Sequence, residues 1–126
     1  MKTIVVDFDG VLHWYRKGWS DGSIYDDPVP GSQDAMRQLI ERGFKVVVFS
    51  TRAIDRIIRG VIEAGQEAQM RTWLHRNGFP ELEIWKEPGK PMGIAYIDDR
   101  AVRFNGDWKV AIEEASNFVP WNSKME

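Results

Sequence analysis

An α/β fold built on a parallel sheet is expected from three features of the sequence. Short runs dense in Ile and Val alternate with stretches of helical periodicity. Such alternation implies a three-layer, Rossmann-like sheet with helices on both faces. Three of the apolar runs also end in polar residues: Asp7 and Asp9, Ser50 and Thr51, Asp98 and Asp99. In parallel sheets ligands bind beyond the carboxyl ends of the strands, so these sets are expected along one edge. Finally, 126 residues suit one domain around one core, here taken as 1–126 with no separate cap.

Residues 3–9 are expected as a buried strand, continuous in Ile and Val. Residues 11–30, "VLHWYRKGWSDGSIYDDPVP", are rich in aromatics, Gly, Asp and Pro and form a flap. A helix is expected from Ser32 to Arg42, with Ala35, Met36, Leu39 and Ile40 as its apolar stripe and Gly43 as its stop. "FKVVVFS", 44–50, gives a second buried strand. Residues 53–77 show helical spacing in two phases. Ile54, Ile57, Ile58, Val61 and Ile62 share one face, while Met70, Trp73 and Leu74 share another. A helix broken near Gly65 and capped by Asn77-Gly78 accommodates both. "LEIW", 82–85, and "GIAYIDD", 93–99, give two further strands, and a turn-back at "AVRFNGDW" leads to a last helix over 107–117. Val110, Ile112 and Ala115 are its packing residues, and Trp108 and Trp121 are expected to pack as well.

Composition narrows the function. The chain is 43% hydrophobic and 29% charged, an ordinary globular balance. A formal net charge of −2 provides no global pull toward nucleic acid or membrane. The absence of cysteine excludes disulfides, thiolate metal sites and thiol nucleophiles, and fits a cytoplasmic setting. No stretch is long and apolar enough for a membrane span, and the apolar run at Ile4–Val6 is too short for a signal peptide.

The shared edge carries the chemistry. Asp7 and Asp9 emerge on the same side of a strand, and Phe8 points the other way. Crowded carboxylates stay ionised cheaply only with a cation or a shared proton between them. An all-oxygen donor set suits Mg²⁺, held by Asp7, by Asp98 or Asp99, and by a backbone carbonyl. Phosphoryl transfer needs mainly positioning and charge neutralisation. Lys90, the Ser50 hydroxyl and the loop amides after Asp7, at Phe8 to Gly10, could supply both.

These residues resemble the haloacid dehalogenase (HAD)-like superfamily of phosphatases. Its D-x-D-G motif matches "DFDG", its strand-ending Ser or Thr matches "VVVFSTR", its Lys matches Lys90-Pro91, and its acidic pair matches "YIDDR". The four motifs occur in the family's order, Lys90 precedes Asp98 by eight residues, and the resemblance covers residues 3 to about 104. It implies a Mg²⁺-dependent phosphatase. Asp7 would be the nucleophile forming an aspartyl-phosphate, and Asp9 the general acid and base, lending its carbonyl to the metal. Ser50 would hold phosphoryl oxygens, with Thr51 as the neighbouring alternative. Lys90 would pair with phosphate and nucleophile, with Lys86 as second choice, and Asp98 and Asp99 would hold the metal.

The gaps at 11–30 and 53–85 are too short for a folded cap. A capless member implies an open site and either a large, even macromolecular, phosphorylated substrate or a lid from a partner subunit in a homo-oligomer. Flap residues Trp14, Tyr15, Arg16, Lys17, Trp19 and Tyr25 could stack on nucleobases, but packing onto the domain is favoured. The Ile54-to-Ile62 stripe is expected as core, or as a lid or interface if it projects. Arg52 and Arg100 follow two motifs and are candidates for phosphate binding. His13 and His75 show no partner pattern and are not assigned a role. Two other functions remain open: an end-processing phosphatase on nucleic acid or nucleotides, and a non-catalytic binding protein that keeps the fold.

Overall fold

A computed structural model describes residues 1–123; the last three residues of the expected domain lie outside the described residues. Four short parallel strands form the main sheet: β1 (Thr3–Val6), β2 (Lys45–Val48), β5 (Glu83–Ile84) and β6 (Ala95–Ile97), in the spatial order β5-β2-β1-β6. β3 (Arg56–Ile58) and β4 (Val61–Glu63) form a separate antiparallel hairpin. The helices are α1 (Ser32–Glu41), α2 (Glu67–Arg76) and α3 (Trp108–Ser116). The small α/β fold with a parallel sheet is therefore as expected.

Strand register decides which side chains share a face. Ile4, Val46, Val6 and Val48 pair directly across β1 and β2, and Ile84 continues the row on β5. Met36 of α1 and Met70, Trp73 and Leu74 of α2 pack against this row in one core that also holds Phe8, Leu12 and Phe79. Both helices therefore cover the same face. Burying a side chain such as Met70 or Leu74 contributes about 1.5–3 kcal/mol relative to exposure. Of the stripe expected on α1, Met36 is buried and Leu39 packs against the core, while Ile40 faces solvent.

α3 starts where expected. Asp107 caps it, its carboxylate accepting from the Lys109 and Val110 amides. Yet α3 buries no residue: Val110 and Ile112 are exposed, and Trp108 meets Phe104 rather than the core. The second helical layer expected over the sheet is not formed by buried contacts of α3. Tyr96 and Ile97 of the edge strand β6 are also exposed.

The largest departure lies at 53–65. The expected helix there is a hairpin, preceded by a single 3₁₀ turn at Thr51–Ala53. Ile57 pairs with Ile62 and Ile58 with Val61. Arg59 and Gly60 turn the chain with φ of 52° and 77°. Positive φ at both central residues is the requirement of a type I′ turn, whose twist matches a two-residue hairpin. The aliphatic stripe is not core: Ile57, Ile58, Val61 and Ile62 are all exposed. Helical periodicity resumes only at α2, where Met70, Trp73 and Leu74 are buried as expected. Among the described residues, no helix is long and apolar enough to cross a membrane.

Candidate active site

The parallel register delivers the ends of β1, β2 and β6 to one edge of the sheet. Asp7 follows β1 directly and its amide donates to the Ile97 carbonyl, 2.9 Å away, which locks it beside the end of β6. Asp98 and Asp99 leave β6 there, and Ser50 and Thr51 leave β2. Asp7, Asp9, Ser50, Thr51, Asp98 and Asp99 line one cavity of about 480 Å³, together with Tyr15, Phe49 and Arg100.

Within it, Asp7, Asp98 and Asp99 each offer an oxygen, and the three oxygens lie within 4.8 Å of one another. The pKa of Asp7 is raised to about 8 in this setting. Burial is the main cause, followed by a hydrogen bond shared with Asp99 and by repulsion from Asp98 and Asp99, against which the Phe8 amide works. The donor chemistry fits a hard divalent cation: three carboxylates, no nitrogen or sulfur, and partial exposure that leaves room for waters.

The turn after β1 is held from within. The Phe8 carbonyl accepts from the amides of Val11, Leu12 and His13. The Phe8 amide donates to Asp7 Oδ1 at 2.8 Å, and the Gly10 amide donates to the His13 carbonyl at 2.7 Å. The amides at Phe8 and Gly10, expected to meet phosphate, are thus engaged inside the loop. The Phe8 side chain is fully buried in the core.

Asp9 does not join the acid cluster. Its carboxylate is gripped by Arg52, Nε to Oδ2 at 3.0 Å and Nη2 to Oδ1 at 3.1 Å. His13 Nδ1 lies 2.8 Å from Asp9 Oδ1. Its other nitrogen, Nε2, accepts from the Asp26 amide at 3.0 Å, so the ring proton sits on Nδ1 and is donated to Asp9. Arg52 and His13 are both buried. Removing one partner of a buried ion pair typically costs about 3–5 kcal/mol, because the other charge is left uncompensated.

Arg52 was expected at phosphate and is instead spent on the protein. Besides the fork to Asp9, Nη1 donates to the Gly22 carbonyl and to Gln66 Oε1. The Trp19 ring lies over its guanidinium at 4.7 Å. Lys90 is likewise placed elsewhere: its Nζ stands 4.1 Å over the Tyr96 ring, and neither Lys90 nor Lys86 lines the acidic cavity. Tyr96 projects from the face opposite Ile4 and Val6, as its pairing with Val5 requires, which carries Lys90 to that side. The cation at the cavity is Arg100, whose Nε is 3.9 Å from Asp99 Oδ2 and whose side chain is 65% exposed.

The hydroxyl of Ser50 accepts from the Arg52 amide at 3.2 Å and keeps its own proton free to donate. Of the flap aromatics, Trp14, Tyr15 and Tyr25 are half-buried and Trp19 is exposed, so the packing favoured from sequence is partial. Arg16 covers Trp14, the Tyr25 hydroxyl donates to the Gly18 carbonyl, and Tyr15 reaches the cavity wall. His13 and Gln66 are the residues that motif spacing missed. His13 belongs to an irregular turn with no periodicity to expose it, and of its two partners, Asp9 and the Asp26 amide, the second lies across the flap.

A larger hollow of about 610 Å³ lies between the flap and α2, but its one carboxylate, Asp21, is already bonded to Ser23. The acidic cavity is therefore the place where chemistry can be gathered. No protein-family model, curated protein or solved structure matches the chain.

Proposed function

We propose that this chain is a HAD-like, capless, Mg²⁺-dependent phosphomonoester hydrolase working through Asp7. The reading is carried by one juxtaposition: three carboxylate oxygens within 4.8 Å, in the same cavity as Ser50 and Thr51, at the carboxyl edge of a parallel sheet. Asp7, Asp98 and Asp99 would hold the cation, which when bound neutralises the carboxylates and the charge of an incoming phosphate. Asp7 attacks phosphorus, forming an Oδ–P bond as the ester oxygen departs. The Ser50 hydroxyl donates to a phosphoryl oxygen, and Arg100 supplies the positive charge assigned by resemblance to Lys90. Asp9 protonates the leaving oxygen, then takes a proton from the water that cleaves the aspartyl-phosphate and releases inorganic phosphate. Both Asp9 oxygens accept hydrogen bonds from Arg52 and His13, so one must be freed for this exchange.

The same clamp on Asp9, with Lys90 remote from the cavity, favours a second reading. The chain would bind a cation and a phosphate group without turning it over. Hydrolysis of p-nitrophenyl phosphate with and without Mg²⁺, in wild type and Asp7→Asn, separates the two. The enzyme reading expects Mg²⁺-dependent turnover that falls at least about 1,000-fold in Asp7→Asn. Mg²⁺ binding without turnover of any phosphate ester supports the second reading. Turnover that survives in Asp7→Asn rejects Asp7 as nucleophile.

A further inference from the structure

Arg52 and His13 are buried polar residues whose side chains are engaged within the protein. Arg52 uses four of its five N–H donors: Nε and Nη2 on Asp9, and Nη1 on both Gly22 and Gln66. His13 joins Asp9 on one side to the Asp26 amide on the other. Both links therefore run from one carboxylate to the flap, at Gly22 and at Asp26. Independent bonds reinforce each flap end: Gln66 Nε2 donates to the Gly22 carbonyl at 3.0 Å, and Trp73 Nε1 to the Asp26 carbonyl at 3.1 Å. The rings of Tyr15, Tyr25, Phe8 and Trp73 surround His13, with centroids 5.3–5.7 Å away.

We propose that Arg52 and His13 are positioning residues that set the orientation of the Asp9 carboxylate and fasten it to the flap, so that Asp9 and flap residues 22–26 move as one unit. The proposal rests on the phosphatase reading for its catalytic consequence, but not for the mechanical link. A fork fixes both the plane and the distance of a carboxylate, which a single ammonium cannot do. Arg52 has one N–H left, so a phosphate gains little from it. The nearest route for reorienting Asp9 is displacement of the flap, because Gly22 anchors the far side of the same guanidinium. The flap also carries Tyr15 to the cavity wall, so a flap displacement that frees an Asp9 oxygen would move Tyr15 with it.

Two measurements test this on the full chain. The first is hydrogen exchange of the Asp26 and Trp14 amides, both fixed in the flap, in wild type, Arg52→Lys and Asp9→Asn. The link predicts exchange at least about tenfold faster in both variants, with the Val47 and Val48 amides of β2 unchanged. Flap exchange equal to wild type in both variants overturns the proposal. The second is the kinetics of p-nitrophenyl phosphate hydrolysis with Mg²⁺. Arg52→Lys is expected to lower kcat about 100-fold with KM within about twofold, and guanidinium ion to restore much of kcat in Arg52→Ala. A raised KM with unchanged kcat would instead make Arg52 a phosphate ligand and overturn the positioning role. If wild type turns over no phosphate ester, the phosphatase reading fails, and the exchange comparison still decides whether Asp9 and the flap are linked.

Discussion

Gly10 faces the carboxylate of Asp99 so closely that a Cβ on it would stand 2.1 Å from Asp99 Oδ2. The backbone there has φ of +82°, open to glycine and strained for other residues. The motif glycine therefore does two things. It turns the chain after Asp9, and it leaves Asp99 room to approach Asp7. Gly10→Ala is expected to lose about 1–2 kcal/mol from the left-handed backbone alone, before any clash with Asp99. Because Asp99 must move, Mg²⁺ affinity should fall at least about tenfold. Urea unfolding and calorimetric Mg²⁺ titration of the variant check both. An unchanged affinity would place the cation away from Asp99.

The Asp7 carboxyl is raised to about 8 by burial and by its acidic neighbours, so the proposed cation would bind in a pH-dependent way. Below that value the folded protein holds a proton on Asp7 that a cation must displace. Mg²⁺ affinity should therefore rise with pH through the neutral range and level off above about 8. Calorimetry in buffers of different ionisation enthalpy should register proton release on binding at pH 6.5. Affinity independent of pH between about 6 and 8 would remove Asp7 from the ligand set.

The same shift has a stability consequence of definite sign. The unfolded chain ionises Asp7 near 3.8 and the folded chain near 8, so across that window the folded state binds more protons. Stability of the metal-free protein thus has a component that is full below 3.8 and is lost as pH rises through about 8. Asp7→Asn cannot ionise and escapes this loss. Without metal, the variant should exceed wild type by at least about 1 kcal/mol at pH 9. The gap should narrow as pH falls toward 5. Chemical denaturation at the two pH values measures it, and a variant less stable than wild type at pH 9 would contradict the raised pKa of the buried Asp7. An inactive variant that is more stable is what a strained functional carboxylate predicts.

Much of the site was legible because strand ends are local. A run of Ile and Val closed by an acid pair states both where the strand stops and what it presents, and Asp7, Ser50, Thr51, Asp98 and Asp99 accordingly meet in one cavity. Arg52 and Lys90 were not legible in this way, because a cation's partner is chosen by tertiary position. Arg52 lies two residues past Ser50, yet it turns toward Asp9 and the flap, and Lys90 follows Tyr96 to the other face of the sheet. The layer expected from α3 failed for a different reason. Ile112 and Ala115 are apolar at i, i+3 spacing, but spacing shows that a face exists and not that anything covers it.

The hairpin at 56–63 shows the same ambiguity in its sharpest form. "IIRGVI" puts β-branched residues on either side of Arg59-Gly60, and i, i+3, i+4 spacing arises there from two strands folded back on each other. Short apolar runs cannot be told from helix by period alone. The β-branched composition and central glycine were the hairpin signal. The distinction has a measurable consequence. As a core helix face, Ile57 and Ile62 would each cost about 2–5 kcal/mol on truncation to Ala. As an exposed cross-strand pair, 76% and 70% accessible, they should contribute only about 0.2–1 kcal/mol. Ile57→Thr and Ile62→Thr, which keep β-branching, are therefore expected to shift the urea midpoint barely. Met70→Ala, at a fully buried position on α2, should lose about 2–5 kcal/mol in the same assay. Losses at Ile57 or Ile62 as large as that at Met70 would mean the hairpin is buried in solution, and would return this segment to the core.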